Sequence, residues 1–171
     1  SSNFYNLFSK NSSEIVNNIL KLGHSIGLHF DTSSYDNLKT VKRISDLCNK
    51  EASLISKWFN VEIKTVSFHR PNELILSGDK NLSNPMMHTY MPIFTKDMKY
   101  ISDSTGTWRY GHPLDLLESS DNNNIHLLTH PIWWKDRNIS PYQNLLNFVS
   151  SKRKSFEYDL SQNCKTFNIR V

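Results

Sequence analysis

Histidine and aspartate residues follow short apolar runs at four separate points of the 171-residue chain. The first such pair is His29 and Asp31, which lie two residues apart and share one face if the run is a strand. An imidazole and a carboxylate at this spacing suit a divalent ion such as zinc. The structural alternative is a strand-end histidine held by a backbone carbonyl, with Asp31 capping the next loop.

The second group is His69 and Arg70, which end the next apolar run directly before Pro71. Neighbouring strands would bring His69 close to His29, because the ends of parallel strands meet at one edge of a sheet. The Arg70 guanidinium is suited to orienting a carboxylate or holding a substrate oxygen. A surface ion pair is the ordinary alternative for an arginine at the start of a loop.

The third group combines hydroxyls, the Asp103 carboxylate and Trp108 around Gly106. Sugar recognition needs polar partners for hydroxyl groups and an aromatic face for the pyranose ring, so this composition is typical of a carbohydrate site. A turn rich in Asx and serine caps, with Trp108 buried, is the alternative.

The fourth group is a strand on which His126 and His130 share one face, and only His130 reaches the strand end. A histidine titrates near neutrality, so His130 could act as a general acid. Trp133 and Trp134 would then exclude water and offer a platform for a sugar. Anchoring of the last helix is an equally acceptable role for the two tryptophans.

Alternating helices and strands place these groups. The first predicted elements are a helix capped by Ser12 or Ser13 and ended by Gly23, a strand over 24–30, a helix over 37–59 and a strand over 61–68. A long loop over 72–95 with room for one short helix follows, and then a strand over 99–102, a helix over 113–117 and a strand over 125–128. The last helix is opened by Pro141 and is predicted to pack through Leu145, Leu146, Phe148 and Val149. This order predicts parallel βα units with their polar groups at the carboxyl ends of the strands.

Composition narrows the class of protein. At 20.0 kDa the chain is expected to form one domain over residues 1–171, and no apolar run is long enough for a membrane-spanning helix. Cys48 and Cys164 have neither disulfide-scaffold nor zinc-ligand spacing. The net charge is +4, and basic residues cluster only at 152–154, which does not indicate a nucleic-acid partner. The expected location is the cytoplasm, although an N-terminal signal upstream of Ser1 is compatible with the sequence.

Taken in order, the four groups resemble the motifs of the polysaccharide deacetylase family, the NodB-homology group of carbohydrate esterases. GHSIGLHFD (23–31) is similar to the second motif of the family, SFHRP (67–71) to the third, SDSTGTW (102–108) to the fourth, and LLTHP (127–131) to the closing Leu-x-His. The resemblance covers roughly Phe4 to Trp134 and is to a bacterial branch associated with surface-polysaccharide biosynthesis.

The resemblance implies a distorted (β/α) barrel that holds a divalent metal, usually zinc, and hydrolyses an N- or O-acetyl group of a carbohydrate or nucleotide-sugar-linked substrate. In that family the metal polarises the carbonyl, an aspartate takes a proton from water, and a histidine protonates the leaving group. Carried over by motif, the resemblance implies His29 and His69 as metal ligands. It implies His130 as the general acid, with Asp103 and Arg70 orienting the acid and base. The substrate-binding residues that it implies are Asp31, Trp108 and Trp133.

Two departures leave alternatives open. Ser33 occupies the place of the second metal histidine of the family, so Asp31 or His69 must replace it, and His69 is favoured. The first motif, which supplies the base and a metal-binding aspartate, has no counterpart between Ser1 and Gly23. Either the first βα unit lies outside this sequence or the chain does not hydrolyse by the family mechanism. The leading hypothesis is a metal-dependent acetyl hydrolase. The others are a non-catalytic carbohydrate-binding or scaffold domain and a different metal-dependent C–N hydrolase.

Overall fold

A computed structural model describes residues 6–117, 124–134 and 139–167 of the chain. The fold is mixed α/β and divides into two compact units, Ser1–Met98 and Lys99–Val171. Each unit is described by itself, and the single domain expected from the chain length stays a prediction. Over the described residues, no helix combines the length and apolarity needed to cross a membrane.

The first unit places a parallel sheet beside its helices. Its elements are α1 (Lys10–Lys21), β1 (Leu28–Asp31), α2 (Val41–Phe59), β2 (Thr65–His69), α3 (Glu73–Leu76), β3 (Met87–His88) and α4 (Pro92–Thr95). The sheet order is β1-β2-β3, and both neighbouring pairs are parallel. The parallel pairing predicted from the alternation of elements is therefore confirmed for this sheet.

The register of β1 and β2 separates an apolar face from a polar face. Leu28 pairs with Val66 and Asp31 pairs with His69. Side chains alternate across a strand, so one face carries apolar residues and the other carries the polar candidates. The buried apolar residues of the two strands are Leu28, Phe30, Val66 and Phe68, and they join a core with α2 residues such as Ile44 and Cys48. Packing of this core holds the polar face of the sheet in place.

Both long helices of the first unit begin at residues other than those predicted. Ser9, rather than Ser12 or Ser13, caps α1, because its side chain accepts a hydrogen bond from the Ser12 N–H. In α2 the cap is Thr40, whose hydroxyl accepts from the Arg43 N–H at 3.2 Å. Asn37, the predicted start, has a left-handed φ of +61° and lies outside the helix. Several residues near each start can cap a helix, and the surrounding structure selects one of them.

The segment 72–95 is more ordered than the predicted loop. It contains α3, β3 and α4, and β3 pairs with β2 through Thr65↔Met87 and Val66↔His88. A strand of two residues is too short to show a period in the sequence, so its pairing partner alone defines it. The predicted strands 24–30 and 61–68 are also shorter in the structure, because paired residues begin only at Leu28 and Thr65.

The second unit contains β4 (Lys99–Ser102), α5 (Pro113–Leu117), β5 (Ile125–Leu128) and α6 (Pro141–Asn163). The two strands pair in parallel from Lys99↔Ile125 to Ser102↔Leu128. The predicted bounds of β4, α5 and β5 and the start of α6 are confirmed. Among the described residues the strands form sheets of three and two strands, and the (β/α) barrel stays a prediction.

The packing predicted for α6 is wrong for Leu145, Leu146 and Val149, whereas Phe148 is half-buried. Leu145, Leu146 and Val149 are exposed at 44%, 43% and 63%, whereas the buried residue of this helix is Asn144 at 4%. The spacing of the apolar residues of α6 predicts that they pack into the core. The first turn of α6 packs against the Pro131–Trp133 turn through Asn144, which donates a hydrogen bond to the Ile132 carbonyl.

Candidate functional site

His29 and His69 lie side by side on the polar face of the first-unit sheet. Their ring centroids are 5.6 Å apart with an angle of 63° between the ring planes. The in-register pairing of Asp31 with His69 puts Asp31 on the same face. The structure therefore brings together both predicted metal ligands, as the sequence analysis expected from neighbouring strand ends.

Ser67, which the sequence analysis did not select, contacts His29. The Ser67 hydroxyl lies 2.7 Å from His29 Nδ1, 38 residues away along the chain. Residues 29 and 67 are direct partners in the β1–β2 register, so the sheet itself creates this contact. The Ser67 contact therefore orients the His29 ring. The only sequence signal for Ser67 is its place two residues before His69.

The Asp31 carboxylate has a local partner. Its Oδ1 accepts hydrogen bonds from the Ser33 hydroxyl at 2.7 Å and the Ser33 N–H at 3.0 Å. The Ser33 hydroxyl bond is the main cause that lowers the pKa of Asp31, and the charges of His69 and Arg70 add to it. The carboxylate therefore caps the short turn that follows β1, as the structural alternative for this residue anticipated.

Arg70 occupies the turn after β2. Its φ is +55°, a left-handed conformation, and its side chain is exposed. The Thr32 hydroxyl donates to the Arg70 carbonyl at 2.6 Å and lies 3.2 Å from the His69 carbonyl. These bonds tie the ends of β1 and β2 together, so the loop that carries Arg70 leaves the sheet from a defined position.

His29 and His69 supply two imidazoles, a kind of donor that zinc takes, whereas a zinc site needs three or four protein ligands. Within the described ranges, no group of three or more His, Cys, Asp or Glu side chains is arranged to hold a metal ion. Asp31 is the nearest carboxylate on this face by register, and Ser33 engages it.

The second unit contains an aspartate–histidine dyad. Asp103 Oδ1 lies 2.6 Å from His130 Nδ1, and Oδ2 accepts the His130 backbone N–H at 2.9 Å. A carboxylate only accepts, so Nδ1 is the donor and Nε2 is left to exchange a proton with a substrate. The Asp103 side chain is 7% exposed and the His130 side chain 43%. A buried carboxylate thus orients an accessible imidazole.

Beside this dyad is a cleft with aromatic walls. It has a volume of about 190 Å³ and is lined by Asp103, Gly106, Thr107, Trp108, Trp133 and Trp134. Trp108 is 38% exposed and Trp134 is 63% exposed, so their rings are accessible. The buried Trp108 of the structural alternative is therefore not observed. Asp103 belongs to both the cleft and the dyad, which places His130 next to the cleft.

Serine hydrogen bonds and a left-handed glycine shape the loop after β4, which forms one wall of the cleft. The Ser102 and Ser104 hydroxyls lie 2.6 Å apart, and Ser102 Oγ accepts the Ser104 N–H at 3.0 Å. Gly106 has a φ of +82°, and a Cβ at this position would lie 2.6 Å from Pro141 Cβ. Only glycine permits both the left-handed backbone and this close approach. The start of α6 therefore packs directly against the loop that bears Trp108.

The candidate residues form two sets, one in each unit. His29, Asp31, His69 and Arg70 belong to the first unit, and Asp103, Trp108, His130 and Trp133 belong to the second. Comparisons of the chain with protein-family models, with curated proteins and with solved structures find no match in any of the three. The assignment of chemistry therefore depends on the geometry of each set.

Proposed function

We propose that this protein is a metal-dependent hydrolase that removes an acetyl or similar acyl group from a sugar or a surface-polysaccharide precursor. The observation that carries the proposal is the Asp103–His130 contact of 2.6 Å, formed by a buried carboxylate that also lines the aromatic cleft. An oriented imidazole beside a sugar-compatible surface is the arrangement that acid-assisted cleavage of an acylated sugar requires.

The dimensions of the cleft support a small ligand. Its volume of about 190 Å³ is below the roughly 300–1,000 Å³ typical of sites for drug-sized molecules. A single sugar ring or its acyl group is a suitable occupant. In the proposal Trp108 and Trp133 contact the apolar face of that ring, and the Thr107 hydroxyl is available to a ring hydroxyl.

His130 supplies the proton in the proposed reaction. Hydrolysis breaks the bond between the acyl carbon and the nitrogen or oxygen of the sugar. The oxygen of water bonds to the acyl carbon and releases one proton to solvent, from which His130 is reprotonated afterwards, and the leaving atom takes up a proton. His130 Nε2 donates that proton, and Asp103 stabilises the charged imidazole before the transfer. A general acid of this kind contributes about 10²- to 10⁴-fold to a rate.

The first unit supplies the proposed metal ligands. His29 and His69 would hold the ion, with Ser67 fixing the ring of His29. A divalent ion such as zinc, when bound, polarises an acyl carbonyl and lowers the pKa of water. In the same proposal Arg70 has an orienting role and Asp31 binds the substrate.

We place the reaction in the cytoplasm, on a carbohydrate or nucleotide-sugar-linked substrate. Cys48 and Cys164 are free thiols, the first buried and the second exposed. Unpaired cysteines support a reducing compartment, where disulfides rarely form.

Acetate release from the zinc-loaded protein tests the proposal. A panel of N-acetylated and O-acetylated sugars is expected to contain a substrate, and His130→Ala is expected to lower kcat at least about 100-fold. His126→Ala is the matched control, because His126 lies in β5, the strand that precedes His130, but packs against Tyr100 with ring centroids 5.2 Å apart. Absence of acetate release by zinc-bound protein, or an equal loss in both variants, would contradict the proposal.

A second candidate is a non-catalytic carbohydrate-binding domain. It is favoured by the bond of 2.7 Å between Ser33 and Asp31, which engages the carboxylate nearest in register to the two histidines. The cleft of the second unit does not depend on that carboxylate. Glycan binding that survives both chelation and His29→Ala, without acetate release, would establish this candidate instead of the hydrolase.

A further inference from the structure

One buried polar side chain of the second unit has no role in the proposed chemistry. Asn144 lies in the first turns of α6 and is 4% exposed. The residues around it on the helix, Leu145 and Leu146, are more than 40% exposed. A buried amide amid exposed apolar residues is the reverse of the usual helix pattern, because an amide is costly to bury unless it is hydrogen-bonded.

The side-chain amide of Asn144 donates a hydrogen bond to a turn next to the dyad. Its Nδ2 donates a hydrogen bond to the Ile132 carbonyl, in the 3₁₀ turn Pro131–Trp133. That turn directly follows His130, and the Trp133 N–H donates to the His130 carbonyl at 2.9 Å. The contact therefore joins α6 to the segment that contains both the proposed acid and one wall of the cleft.

The same segment is held at its other end by Asp103. The Asp103 carboxylate accepts the His130 backbone N–H as well as its imidazole. Asp103 thus holds the entry to the turn, and Asn144 holds the middle of the turn. A third contact supports this arrangement, because a Cβ at Gly106 would lie 2.6 Å from Pro141 in the first turn of α6. The first turn of α6 therefore packs against both the Gly106 loop and the Pro131–Trp133 turn, which form two sides of the cleft.

We propose that Asn144 is a positioning residue that fixes the His130–Trp133 turn, and through it the imidazole of the dyad and the Trp133 wall. The catalytic consequence of this role rests on the proposed function, whereas the positioning itself does not. An amide is required because only a donor satisfies the Ile132 carbonyl. A carboxylate of the same size would place an acceptor against an acceptor.

The first test uses the unmodified full chain. In NMR spectra, one Nδ2 proton of Asn144 is expected to be shifted downfield and to exchange with solvent at least about 10-fold more slowly than the Nδ2 protons of Asn147. Asn147 lies one turn further along α6 and is exposed. Equal exchange at the two asparagines would overturn the proposal, and this measurement needs no variant to fold.

The second test compares Asn144→Asp with Asn147→Asp. The control keeps its partner, because Asn147 accepts a hydrogen bond from Gln143 Nε2 through Oδ1, which aspartate retains. Asn144→Asp, or Asn144→Ala if the aspartate variant does not fold, is expected to move the His130 imidazole resonances, whereas Asn147→Asp leaves them unchanged. Unmoved His130 resonances in the folded Asn144 variant would overturn the proposal.

The kinetic outcome separates this proposal from the proposed function. If the protein releases acetate, Asn144→Asp is expected to lower kcat/KM roughly 10- to 100-fold, as for other residues that orient a reacting group. If it releases no acetate, the proposed function fails, and the His130 resonances still decide whether Asn144 positions the turn. A shift of His130 without any change in kcat/KM would overturn the catalytic consequence alone.

Discussion

At the scale of single residues, hydrogen-bond partners decide which candidates can do chemistry. Asp103 is buried and uses both carboxylate oxygens on His130. Asp31, by contrast, uses its Oδ1 on the neighbouring Ser33. Asp31 ends β1 and Asp103 follows β4, and both precede a 3₁₀ turn, so their positions in the sequence are alike. Only Asp103 is tied to a residue that can transfer a proton.

Substitution of the dyad carboxylate is expected to reduce catalysis more than binding. In Asp103→Asn, one side-chain atom becomes a donor that faces a donor, either the His130 backbone N–H or its Nδ1–H. We expect kcat for acetate release to fall about 100-fold with KM changed less than about threefold. Asp115→Asn, in α5 of the same unit, is the control. A change confined to KM would contradict the role of Asp103.

His88 is expected to make the first unit less stable in acid. It is 1% exposed, its Nε2 faces the Asp79 carbonyl at 2.8 Å, and its Nδ1 accepts the Tyr90 N–H at 3.3 Å. Burial lowers its pKa below the usual 6.5, and the bond to Asp79 and the Asp79 charge act in the opposite direction. The native state therefore holds the neutral ring, whereas the unfolded chain binds a proton below about pH 6.5.

The sign of the resulting pH dependence follows from that difference. The contribution of His88 is fully present above pH 6.5 and is lost as the pH falls from 6.5 toward its lowered native pKa. Urea unfolding at a series of pH values measures the free energy of unfolding. His88→Gln is expected to flatten its slope below pH 6.5, and His24→Gln, at an exposed position, is expected to leave it unchanged. Equal slopes in His88→Gln and wild type would contradict this account.

At the scale of elements, strand register and close backbone contacts place the candidate groups. In the β1–β2 pair, one register sets the apolar residues against α2 and sets His29 and His69 on the opposite face. A slip of one residue would exchange the two faces, so burial of Phe30 and Phe68 fixes the position of the histidines. In the second unit, the loop after β4 meets the first turn of α6 at Gly106.

Substitution at Gly106 tests that contact between elements. Gly106→Ala adds a Cβ 2.6 Å from Pro141 Cβ and 3.4 Å from the Trp133 ring, at a φ of +82°. Gly23 has nearly the same φ, +85°, with no atom within 4 Å of an added Cβ. Gly23→Ala is expected to cost about 1–2 kcal/mol from backbone strain alone.

Gly106→Ala adds a clash to the same strain, so it is expected to cost about 1–3 kcal/mol more than the control. The free energy of unfolding of both variants, measured in urea, decides this. Ligand binding followed by tryptophan fluorescence should weaken only in Gly106→Ala, because that residue lines the cleft. Equal destabilisation by the two substitutions would show that α6 does not pack closely against the loop at Gly106.

At the scale of the whole molecule, the proposed chemistry is divided between two compact units. The proposed metal ligands belong to Ser1–Met98, and the dyad and aromatic cleft belong to Lys99–Val171. The two groups of residues can therefore be tested separately in the intact chain, since each is held by contacts within its own unit.

Zinc affinity and ligand binding are expected to respond to different substitutions. Isothermal titration of the full chain with zinc should show at least about a 10-fold loss of affinity in His29→Ala and in His69→Ala, and no change in His130→Ala. Ser67→Ala should weaken zinc binding less than removal of either histidine, because it only orients His29. Zinc affinity that is equal in wild type and His29→Ala would contradict the assignment of the metal ligands.

The sequence by itself determined the parallel pairing of the strands and the bounds of several elements. Alternating periods predicted parallel strands joined by helices, and local signals such as Pro113 and Pro141 marked helix starts correctly. These features depend on backbone conformation and on hydrogen bonds between residues close together in the chain, which the local sequence specifies.

Tertiary structure alone decided the partners of the candidate residues. His29 meets Ser67 across 38 residues, His130 meets Asp103 across 27, and Asn144 is buried where spacing predicted Leu145 and Leu146. Such contacts are set by register between strands and by the seating of a helix on a turn, and neither leaves a period in the sequence. The site could therefore be predicted as a set of residue types, but not as a set of bonded pairs.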